Sequence, residues 1–174
     1  MWPSLDTADI GRVDPPARVI VNHWQQDQNS TIYANDMSIR LTEANRAIHA
    51  ALAKAHNLAV NICVTVCDSD GRLVAFQRMD GALAEADHAS IGKALASVTS
   101  GRPSGDESVE GQSYFPRAAT VIGEGTPLLR RTGGLPIIRG GQVEGALGVG
   151  GASNEQAVEC APAGIDALEE KGDL

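Results

Sequence analysis

An α+β domain, an antiparallel sheet with helices packed on it, is the fold class this sequence predicts, and three observations carry the prediction. Apolar residues between Thr42 and Ala55 recur at helical spacing. Two pairs of β-rich runs are each closed by a short turn, Asp68-Ser-Asp-Gly71 in the first and Gly140-Gly141 in the second. Between and after them lie two further helical stretches. The resulting order of helix, hairpin, helix, loop, hairpin and helix calls for antiparallel pairing, because hairpins need no crossover connection.

The first helix is expected to be capped by Thr42, with Ala44, Ala47, Ile48, Ala51, Leu52 and Ala55 on its apolar side. A strand over Val60–Cys67 follows, then the Asp-rich turn and a partner strand over Arg72–Met79. Cys63 and Cys67 share one face of that strand, but at ~3.3 Å per residue they stand roughly 13 Å apart, beyond disulfide reach. They are expected to be small buried hydrophobes, as is Cys160. A second helix is placed from about Ala84 to Val98, with Ile91, Leu95 and Val98 inward and Gly101 just past its end. Residues 102–127 are polar and glycine-spotted, either a lid or a long irregular loop. The second hairpin occupies the glycine-rich stretch Gly133–Gly151. Ser153-Asn-Glu-Gln156 then matches a capping box, opening a last helix toward Leu168 that Pro162 should bend or divide.

Composition bounds the partners. With 174 residues, 43% hydrophobic and only 3% aromatic, the chain should form one domain with a core of Ala, Val, Ile and Leu. A net charge of -8 and a pI near 4.9 argue against nucleic acid and anionic membrane surfaces as partners. No apolar run approaches the ~20 residues that span a bilayer, and the amino terminus lacks a basic segment followed by an apolar one, so a cytoplasmic location is expected. The first 40 residues differ in character, with Pro3, Pro15, Pro16 and one apolar run over Ala17–Val21. They read as an extension or arm ahead of a domain from residue 41 to residue 174, and so small a core favours a homo-oligomer.

Glycines at 133, 134, 145, 148, 150 and 151 outnumber what turns require. Glycine inside a strand marks a bulge, or the close approach of a ligand or of another backbone. Both a pocket wall and a tightly packed helix therefore remain open.

Five segments in this order are similar to the GlcG/HbpS-like family, the haem-degrading or haem-binding domain also found at the C-terminus of PduO-type proteins. They are Leu41-Thr-Glu-Ala44, the stretch Val64–Gly81, Ile91-Gly-Lys-Ala-Leu-Ala96, Gly133-Gly-Leu-Pro-Ile137 and Val143–Ala152, spread between about Leu41 and Leu168. The resemblance implies a profilin-like α+β fold, assembly into dimers or larger rings, and a small-molecule ligand, with haem or a related tetrapyrrole as the cofactor to test. The chain departs from the family pattern at Ala157, where members usually carry an acidic residue, and it adds Pro162 and the first 40 residues.

Haem would need a ligand, and His23, His49, His56 and His88 are the histidines available. His49 and His56 lie roughly 10.5 Å apart along one helix and cannot share a metal. His88, beside Asp87 at the start of the second helix, and His23, beside Trp24, are the candidate axial ligands. A second constellation is cationic: Arg78, Lys93 and Arg102 could gather near Gly133, Gly134 and Gly150 to bind a carboxylate. In that case Lys93 or His88 serves as acid or base, oriented by Asp87, while Arg78 and Gly134 hold an anionic oxygen. The alternative to a binding protein is thus a cofactor-independent lyase, isomerase or hydrolase acting on a small aromatic or hydroxy-acid carboxylate.

Overall fold

The computed structural model describes residues 38–106 and 129–169. The expected amino-terminal arm with His23, and most of the expected lid, lie outside the described residues. Three helices, α1 (Leu41–Asn57), α2 (Ala86–Ser100) and α3 (Asn154–Glu169), accompany four strands, β1 (Cys63–Asp68), β2 (Leu73–Arg78), β3 (Gly134–Arg139) and β4 (Gln142–Gly150). The strands form one antiparallel sheet in the order β2-β1-β4-β3. The α+β class, the hairpin pairing and the element order follow the sequence.

The two faces of the sheet differ in side-chain size. Val64, Val66, Leu147, Val149 and Ile137 meet α1 and α3 in the main core, where Ala44, Ala47, Ile48 and Ala51 of α1 are buried. The opposite face carries Cys63, Thr65 and Cys67 on β1, Ala146, Gly148 and Gly150 on β4, and Gly134 on β3, paired in register. This flat floor receives α2, whose residues from Ser90 to Val98 are all buried. A methyl group added at Gly148 would strike the Ser90 carbonyl, one at Gly150 the Ala86 carbonyl, and one at Gly134 the Lys93 carbonyl. Helix packing therefore accounts for these glycines. Thr65 and Ser90 tie floor to helix by a 2.8 Å hydroxyl pair, and all three cysteines are buried and free, as expected.

Two local expectations are corrected. Thr42 does not cap α1; the cap is Arg40, two residues earlier, whose backbone N–H donates to Glu43 Oε2 at 3.0 Å. Glutamate at the third helical position captures the orphan N–H that a capping hydroxyl would otherwise leave free. Pro162 does not divide the last helix, which is one element from Asn154 to Glu169. Pro162 removes the N–H that would serve the Val158 carbonyl, on an exposed stretch of the helix. The Ser153–Gln156 capping box is present, with reciprocal bonds of 3.1 and 3.3 Å.

Arg139 clamps the start of α1 to the second hairpin, reaching Glu43 at 2.9 Å and Glu144 at 3.0 Å. Burial raises the Glu43 pKa, but the bonds from Arg40 and Arg139 outweigh it and hold the carboxyl at about 2 rather than 4.5. A carboxylate depressed on folding adds stability above its unfolded pKa and loses it as the pH falls toward the folded value. Glu43→Gln should therefore cost about 1–3 kcal/mol at pH 7 and flatten the fall in melting temperature between roughly pH 4.5 and 2. Parallel pH profiles for the variant and the parent would show that acid acts elsewhere.

Candidate functional site

Where α2 crosses the end of β4, a cavity of about 460 Å³ opens between the first turns of α2 and α3. Its wall includes Lys93 and Glu85 from α2 and the residue before it, Arg131 from the approach to β3, and Ser153 and Glu155 at the start of α3. Ala86 and Ala89 supply its apolar side. Each group owes its place to a backbone constraint. Ser104 accepts the Gly134 N–H at 2.8 Å and donates to the Arg131 carbonyl, which pins the approach to β3. Gly133 turns the chain at φ 110°, where a side chain would be strained, and accepts the Val149 N–H at 2.7 Å.

Lys93 is the unusual member. Its side chain is buried, with the residue only 5% exposed, and its ammonium donates to the Val149 carbonyl at 2.8 Å. A methyl group on Gly133 would stand 3.2 Å from Lys93 Nζ, so the absent side chain makes room for the amine. No carboxylate pairs with Lys93 among the described residues, although Glu85 and Asp87 are near in sequence. Burial, and then the positive charge of Arg131, bring its pKa down from 10.5 to about 8. Across the cavity the Glu155 carboxylate accepts the Ser153 hydroxyl at 2.7 Å, which lowers its own pKa.

A second cavity of about 410 Å³ lies on the other side of Gly133. Leu135, Ala157, Val158, Ala161 and Pro162 make it largely apolar. The Thr132 hydroxyl on its wall is buried without a hydrogen-bond partner among the described residues. Ala157 forms part of this wall.

Of the residues singled out in the sequence, Lys93 lines the polar cavity, while Gly133 and Gly134 line the apolar one. Gly150 carries α2. Arg78 is exposed on the edge strand β2 and donates to the Ala82 carbonyl at 2.8 Å. Arg102 is exposed and pairs with Asp106 at 3.3 Å. The three expected cations therefore do not converge. His88 is exposed and lines neither cavity; Asp87 accepts its backbone N–H at 2.7 Å, so the carboxylate holds the helix start. His49 faces Gln77 at 3.4 Å, and His56 is exposed. Sequence reasoning missed Arg131, Glu85 and Glu155. Arg131 stands two residues before the glycine pair, and that proximity was the available signal.

Comparison with known proteins gives a consistent result. The family model described as "Haem degrading protein HbpS-like" matches residues 39–166. A 15.0 kDa protein from the dhaT-dhaS intergenic region of Citrobacter freundii is 30% identical over 136 residues, 76% of this chain and 94% of its own. Klebsiella pneumoniae protein ORFY superposes with a TM-score of 0.65 at 29% identity, over 76% of this chain and 91% of that one. PduOC in complex with haem superposes with a TM-score of 0.61 at 24% identity, over 75% and 94%, which shows a common fold.

Proposed function

The chain belongs to the HbpS-like family, and from that premise we propose that it is a small-molecule-binding protein that seats a ligand carboxylate against Lys93 in the polar cavity. The observation that carries the reading is a buried ammonium without a carboxylate partner among the described residues, on a wall shared with Arg131. A buried charge is costly unless something pairs with it, and a bound anion would supply the pair.

Haem is the ligand that the PduOC complex suggests. Its propionates would suit Lys93 and Arg131. Its iron also needs an axial ligand, and His49, His56 and His88 line neither cavity. The described residues thus fit a carboxylate better than they fit an iron centre, so a small organic acid is the favoured ligand. Calorimetric titration with benzoate and lactate, beside haemin followed at its Soret band, tests this. At least one small acid should bind saturably and displace any bound haemin. Haemin that binds without competition from either acid, and loses its Soret shift in His88→Ala, would overturn the reading in favour of an axial-histidine site.

The pKa of Lys93 favours a second reading. An amine that titrates at about 8 can exchange protons near neutral pH, as acid/base catalysis in a lyase or isomerase acting on such an acid requires.

A further inference from the structure

We propose that Lys93 is a nucleophile that forms an imine with the carbonyl carbon of a 2-oxo acid held in the polar cavity. The inference rests on the carboxylate-pocket reading and names the reactive group of its ligand. The two described lysines are differently placed. Lys54 is ion-paired with Glu159 at 2.8 Å at the surface, whereas Lys93 is buried on a cavity wall and has no carboxylate partner among the described residues. An amine held by a carboxylate keeps its proton, while one held only by a carbonyl can lose it. A neutral Lys93 can still donate one N–H to the Val149 carbonyl, and this bond turns its lone pair away from that oxygen. Arg131 on the same wall suits the carboxylate next to the reacting carbonyl. Desolvation and a neighbouring cation activate lysine toward carbonyl compounds, and both conditions are met here.

The step balances without an oxidant or reductant. The Nζ lone pair attacks the carbonyl carbon, and the C=O π pair moves to oxygen, which takes a proton. Nitrogen releases a proton, the hydroxyl takes one and leaves as water, and the C=N bond forms. Glu85 and Glu155 line the cavity and are available to carry these protons. The iminium nitrogen formed in this way, which keeps one proton, withdraws electrons from the adjacent carbon, which serves a lyase or an isomerase.

The chain has three lysines, Lys54, Lys93 and Lys171, so labelling is easily mapped. The full-length protein should be incubated with pyruvate and sodium cyanoborohydride near pH 7.5 and analysed by peptide mass mapping. A reduced adduct should accumulate on Lys93 at least about tenfold faster than on Lys54 or Lys171, owing to its larger neutral fraction. Lys93→Arg should lose the fast adduct while Lys54 and Lys171 keep their slow labelling. Labelling at Lys93 no faster than at Lys54 and Lys171, in a protein that still binds the small acids, would overturn the imine and leave the pocket reading standing. Absence of small-acid binding in the parent protein would overturn the pocket reading itself.

Discussion

Gly148→Val should destabilise the domain by about 3–5 kcal/mol. The β4 backbone at this point lies against that of α2, and an added methyl would meet the Ser90 carbonyl, the Ala94 amide and the Ala94 methyl. Neither wall is a flexible side chain that can step aside. To admit valine the helix must lift from the sheet, which breaks the Thr65–Ser90 hydroxyl pair and exposes the contact of Ala94 with Cys67 and Ala146. Gly140 is the control, since a methyl there meets nothing within 4 Å and the cost is confined to backbone strain at φ 55°. Gly140→Ala should therefore cost only about 1 kcal/mol. Urea unfolding of both variants checks the prediction, and similar midpoints for the two would mean that α2 does not rest on this floor.

Lys93→Met should separate function from stability in opposite directions. Loss of the ammonium removes a charge-assisted contact, so affinity for the bound acid should fall by about 1.5–3 kcal/mol, roughly tenfold to hundredfold. Stability should hold or rise by up to about 1 kcal/mol, because methionine fills similar volume without burying charge, though the Val149 carbonyl loses its donor. The pH dependence gives a second signature. The folded pKa of about 8 lies below the ordinary 10.5, so between these values the unfolded chain binds more protons and the stability of the parent should rise with pH. Lys93→Met should lack that rise. Arg72→Met, in the turn between β1 and β2, serves as the control and should leave affinity unchanged. Equal small losses of affinity in both variants would remove Lys93 from the site.

Much of the site lay beyond sequence reading for a simple reason. Lys93 was legible as one of three cations, and Gly133 as one of six glycines that outnumber what turns require. Its burial was not legible, because α2 is covered on nearly every side and its Ala, Gly and Ser residues show no polar face from which to judge direction. His88 was attractive by position alone. It lies five residues before Lys93, about 1.4 helical turns, so the helix carries it out to solvent while Ala89 and Lys93, four apart, turn to the cavity. Arg78 and Arg102 were grouped with Lys93 by charge, but β2 is the far edge strand and Arg102 turns to Asp106.

The sequence by itself determined the class of fold, the two hairpins, the three helices and their order, because spacing, caps and turn residues act within a few positions of one another. It also showed more glycines than turns require, 148 and 150 among them, though not why. Only the tertiary structure decided that those glycines carry a helix, that Lys93 is buried without a carboxylate beside it, and that Arg131, Glu85 and Glu155 share its cavity. These facts depend on which backbone lies against which across some 40 to 60 residues of chain, and pattern within a segment carries no information about distance between segments.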